Sequence, residues 1–100
     1  MKLEHPEELE HDKINAETAK IPWRELQGHF ASGAAIYVAP SMDLVEVALK
    51  ISKNDTGAVK AWMEKGQLAP VNDQQAAAWI ESDATMWSVV IKPWVLVQNS

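Results

Sequence analysis

Trp23, Leu26 and Phe30 recur at i, i+3 and i+7, the spacing that puts three side chains on one face of a helix from Pro22 to about Ser32. Pro22 suits the first helical residue, where a missing N–H costs nothing, and Gly33 is a suitable stop. Ahead of it, Asp12 to Lys20 is helix-tolerant, with Ile14, Thr18 and Ile21 tracing a narrow stripe. After it, Ala34 to Ala39 contains Ile36, Tyr37 and Val38 and reads as a strand ended by Pro40. Asp43 and Glu46 then stand at capping-box spacing before a helix whose stripe is Leu44, Val47, Ala48 and Ile51, widened by Val45 and Leu49. The polar cluster from Ser52 to Gly57 breaks this helix, and Asp55 or Thr56 can cap the next, which carries Val59, Trp62 and Met63 into Gly66.

Gln67 to Val71 reads as a short extended segment that Pro70 confines to an edge or a strand end. Asn72 or Asp73 caps a further helix from Gln74 to about Ser82, burying Trp79 and Ile80. The chain closes on its most apolar stretch, Trp87 to Gln98, apolar on both faces after its first residues, which predicts an interior or paired strand. Pro93 objects, because it cannot donate to a ladder; a bulge or kink splitting the segment into two strand pieces resolves the conflict. The expected fold is α+β: a small, mainly antiparallel sheet of about three to four short strands against four to five helices, with packing on one face only left open.

Length leaves room for one domain. Residues 1–12 are expected to be an acidic, disordered arm with helix allowed from Glu7, and 13–100 a single α+β domain. Six acids against three lysines in the first twenty residues supply −3 of the chain's −5. That balance opposes a general affinity for nucleic acid or anionic lipid. The absence of cysteine excludes disulfides, thiolate metal sites and a Cys nucleophile. No apolar run approaches the length of a membrane span, nor does the N-terminus carry a signal-peptide core, so a cytoplasmic protein is the expectation.

Candidate chemistry is sparse. Asp43 and Glu46 could form an acid and base pair, with His29 as a third member, but capping explains the carboxylates with fewer assumptions. His5 and His11 lie in the acidic arm without metal-ligand spacing. The four glycines are too dispersed for a phosphate loop. No catalytic residue, cofactor or metal is therefore assigned. The stretch from Asp55 to Val71 resembles the recognition helix and turn of excisionase-type winged helices, and Lys50, Lys53, Lys60 and Lys65 give it local positive charge. It has no arginine for guanine edges. Of five tryptophans most are expected in the core; Trp94 is the exception, sharing a strand face with Lys92 and Gln98, and these three are the candidate interaction surface.

Four blocks, IPWRELQGHFASG, SMDLVEVAL, VKAWMEKGQL and VVIKPWVLVQ, taken together resemble the small bacterial family called domain of unknown function 2288, over about Ala16 to Gln98. The resemblance implies a stand-alone, cytoplasmic bacterial protein and transfers no catalytic residue, cofactor or partner. The leading reading is a non-enzymatic binding or regulatory domain that self-associates as a homo-oligomer. The alternatives are a winged-helix-like DNA-binding protein using residues 55–71 and a small hydrolase or transferase using Asp43, Glu46 or His29.

Overall fold

The computed structural model describes residues 6–100, with side chains from Glu10 onward. The first five residues of the expected arm lie outside the described residues. Helix α1 occupies Pro6–Glu17, followed by β1 (Ala19–Pro22), α2 (Trp23–Ala31), β2 (Ala35–Val38), α3 (Leu44–Ser52) and α4 (Thr56–Glu64). The chain then forms β3 (Leu68–Pro70), α5 (Asp73–Glu81), β4 (Thr85–Ile91) and β5 (Trp94–Asn99). The five strands make one sheet in the order β1-β4-β5-β2-β3. Three neighbouring pairs are antiparallel and β2 with β5 is parallel. The sheet is therefore mixed and has one strand more than expected.

That extra strand is β1. Ile21, read as part of a helical stripe, is instead paired with Met86, and Ala19 with Ser88, along the edge of β4. Four residues hold too little periodicity to reveal a strand; a partner strand remote in sequence, pairing Ala19 with Ser88 and Pro22 with Thr85, supplies it. Pro22 precedes α2 as its cap residue and sits at the strand's end, where its lack of an N–H is harmless.

The second difference is larger. Trp87 to Gln98 is not one interrupted strand but a β-hairpin: β4 and β5 pair from Met86 with Asn99 to Ile91 with Trp94. The turn is only Lys92 and Pro93, joined by a cis peptide bond, the arrangement of a type VI turn. The split into two strand pieces was legible; the reversal of direction was not, because Pro93 is compatible with bulge, kink and turn alike.

Helices cover both faces of the sheet. On one, α1, α3 and α4 pack through Ile14, Leu44, Val47 and Ala48 onto Val38, Val89 and Leu96, with Val59 and Trp62 of α4 at the margin. On the other, α2 and α5 pack through Trp23, Leu26 and Ala76 onto Ala35, Met86, Val95 and Val97. The run Val95-Leu96-Val97 is buried throughout because its alternate side chains serve the two cores in turn. Trp23, with no exposed surface, meets Trp79 edge-on at 4.9 Å between ring centroids and Phe30 at 5.9 Å. Its indole N–H has no hydrogen-bond partner among the described residues, since it is buried in an apolar cluster of aliphatic and aromatic side chains.

The helix ends follow local chemistry closely. Asn72 and Gln75 form a reciprocal capping box at α5. The last turns of α2, α3, α4 and α5 close with paired hydrogen bonds of the Schellman type, for instance Asp55 N–H to Lys50 C=O and Asn54 N–H to Ile51 C=O. The left-handed residue in these four turns is Gly33, Asn54, Gly66 and Asp83 respectively.

Candidate functional site

Alternation along the strands sends Ile91, Trp94, Ile36 and Pro70, one each from β4, β5, β2 and β3, to the face that carries α3 and α4. Helix α3 covers the middle of that face and stops at Ser52. The Schellman turn at Asn54 then redirects the chain, so α4 lies over the β3 edge and buries no residue completely. Between α4 and the projecting hairpin tip this leaves a half-open cleft of about 850 Å³. Ile36, Ile91 and Leu68 line it from the sheet, Val59 and Met63 from successive turns of α4, and Trp94 from the hairpin. Trp94 is 39% exposed and Met63 50%, so two large apolar side chains stand at the opening rather than in the core.

The polar residues of the cleft are arranged asymmetrically. Asp55 caps α4, accepting the Ala58 N–H at 3.1 Å on one carboxylate oxygen, while the other lies 3.8 Å from Lys50 Nζ. The Ser52 hydroxyl donates to Leu49 C=O within its own helix. Lys60 and Lys92 also line the cleft, both are exposed, and neither has an ion pair among the described residues. The single acid in the lining is thus engaged at both oxygens, and two ammonium groups remain to set the sign of the rim.

The candidate interaction surface divides. Lys92 and Trp94 meet at the cleft, whereas Gln98 lies at the far end of β5, opposite Trp87. There its side-chain amide donates to Ala39 C=O at 2.9 Å and Met42 C=O at 2.7 Å, fastening the loop that leads into α3. Trp87 is the other exposed tryptophan, with Lys20 Nζ 5.2 Å above its ring.

Asp43, Glu46 and His29 are not brought together. Asp43 accepts the N–H groups of Val45 and Glu46 at 3.0 and 3.2 Å, and Glu46 faces His11 at 3.9 Å. His29 is exposed in the last turn of α2, which packs on the opposite face of the sheet from α3. Among the described residues, no three His, Cys, Asp or Glu side chains cluster so as to hold a metal ion, and no helix is long and apolar enough to cross a membrane. The Asp55 to Val71 segment forms α4 and the edge strand β3, which pairs with β2; Val59 and Trp62 attach α4 to the core.

Sequence reasoning reached Lys92 and Trp94 but missed Ile36, Lys60, Met63 and Ile91 as parts of the same site. The useful signal was Lys92-Pro93 between two apolar runs: a turn there would have placed Ile91 opposite Trp94.

A family model described as protein of unknown function (DUF2288) matches residues 10–99. The solution NMR structure of PA1075 from Pseudomonas aeruginosa is similar over 99% of this chain and 92% of that one, with a TM-score of 0.81 and 38% identity. No curated protein matches the chain.

Proposed function

We propose that this chain, which belongs to the DUF2288 family of proteins of unknown function, is a non-enzymatic binding domain whose site is the cleft between α4 and the β4–β5 hairpin. The observation that carries this reading is Trp94 standing 39% exposed at the lip of an apolar cleft of about 850 Å³. Concavities of roughly 300–1,000 Å³ lined by apolar groups with a few polar ones are the usual form of a small-molecule site. Burial of an exposed indole and a thioether gives an occupant most of its affinity, since both are left in water without one.

The test is titration with N-phenyl-1-naphthylamine, an uncharged apolar dye. Saturable dye binding with amide shifts centred on Trp94, Met63 and Ile36 is expected, and Trp94→Ser should weaken it several-fold without unfolding the chain. Absence of saturable binding, or shifts centred on the α2 and α5 face, would sink the proposal.

Self-association is a second reading, favoured by the hairpin's own exposure: Val90 is 52% and Trp87 38% exposed, in addition to Trp94. Sedimentation from low to high micromolar concentration should then show a shift from monomer to dimer that Val90→Lys abolishes. A single monomeric species throughout removes this reading and leaves the cleft proposal standing.

A further inference from the structure

Resting on the cleft proposal, we infer that the preferred occupant is a single-chain aliphatic carboxylate: a hydrocarbon body along Ile36, Ile91, Met63 and Trp94, with its anionic head between Lys60 and Lys92. Three observations converge on that chemistry. The body of the cleft is apolar from both sides, sheet and helix. Its two ammonium groups make no ion pair among the described residues, and the one acid of the lining, Asp55, is engaged by its own helix and by Lys50. And the rim is cationic although the whole chain carries −5, so the positive charge is a property of this place rather than of the protein.

The geometry also separates the two parts of such a ligand. Lys60 follows Val59 on α4 and Lys92 precedes Pro93 in the hairpin turn, so the cations sit on the two lips, one on each side of the opening. Long lysine stems can lie along apolar walls while their ammonium groups reach solvent, which places a carboxylate at the mouth and its tail inward. The N-terminus of α4 does not compete for the head group, since the Asp55 side chain already fills it. A bilayer surface presents similar anionic chemistry, but a chain of net charge −5 is repelled by it, so a free amphiphile is the occupant assigned.

Laurate, dodecanol and dodecyltrimethylammonium, each below its micelle-forming concentration, share one tail and differ in head charge. The full chain should bind laurate about tenfold more tightly than dodecanol, the magnitude expected of two exposed ion contacts, and the cation least tightly. That preference should shrink as salt rises. The double variant K60Q/K92Q should lose the preference for laurate over dodecanol, whatever its affinity for the shared tail, and K60E/K92E should favour the cation. Equal binding of laurate and dodecanol by the parent, or a preference that survives K60Q/K92Q, would overturn the inference while leaving the cleft reading intact. Failure of all three probes to bind would overturn both. Capture by phosphatidylglycerol vesicles as strong as laurate binding would show that the assigned source is wrong.

Discussion

Replacing Gln98 tests a division the fold makes between two residues of the same strand face. Its amide nitrogen donates to Ala39 C=O and Met42 C=O, at 2.9 and 2.7 Å, in a half-buried position. Two facing carbonyls require a two-donor group, so the NH2 end must point at them. Ala39 C=O keeps a second donor, the Met42 N–H at 3.0 Å, while no other hydrogen bond engages Met42 C=O among the described residues. Gln98→Ala therefore removes two bonds and leaves one carbonyl poorly satisfied, a loss of about 1–3 kcal/mol at neutral pH. Gln98→Glu is nearly isosteric but turns a donor pair into a carboxylate facing two carbonyl oxygens, and should cost about 1 kcal/mol more than the alanine variant.

The pH dependence of that second variant has a definite sign. Repulsion by the carbonyls raises the pKa of the introduced carboxyl in the folded state above its unfolded value of about 4.3. The folded state then binds more protons, so stability relative to the parent is recovered as pH falls towards 4 and lost as pH rises through the interval between the two values. Urea unfolding followed by tryptophan emission at pH 7 and pH 4 measures both quantities. If Gln98→Ala unfolds within a few tenths of a kcal/mol of the parent, or if Gln98→Glu shows no relative recovery at the lower pH, Gln98 does not fasten the loop to β5 in this way.

Three other expectations concern the scaffold and use the same unfolding assay. Gly28 lies in the interior of α2 and Gly66 in the left-handed turn after α4 at φ +74°, and an added Cβ would meet nothing within 4 Å at either. Gly28→Ala should therefore stabilise by about 0.5–1 kcal/mol and Gly66→Ala destabilise by about 1 kcal/mol; equal signs would refute the assignment of either backbone. Leu96 is fully buried at the centre of the sheet, so Leu96→Ala should cost about 3–5 kcal/mol, and a loss below about 2 would mean the core beneath α3 is looser than described. Asp43→Ala should cost about 1 kcal/mol as a lost cap while Glu46→Gln changes stability by only a few tenths, and comparable losses would show that the two carboxylates act together.

Much of the scaffold was legible because its signals are local. The caps at Asp43 and Asn72, the stops at Gly33 and Gly66, and the stripes of α2 and α3 each depend on residues within a few positions of one another. The same locality limited what could be read of the site. Its residues come from β2, the end of α3, α4, β3 and the hairpin, and no window of sequence contains them together. Lys92, Trp94 and Gln98 looked like one surface by alternation alone, yet distance along β5 and the approach of the loop after Ala39 gave Gln98 a different task.

The closing stretch from Trp87 to Gln98 marks the boundary. From sequence alone came its apolar faces, its need to be interior or paired and the break at Pro93, since these follow from side-chain chemistry and a missing N–H. That the break reverses the chain, that β1 pairs with β4, and that helices cover both faces were decided by tertiary structure. Hydrogen-bond ladders and buried faces are satisfied by partners remote in sequence, and several pairings would satisfy the same local pattern. The cleft is a consequence of that choice: it exists where α3 ends short of the hairpin tip, a length difference between elements that neither one encodes by itself.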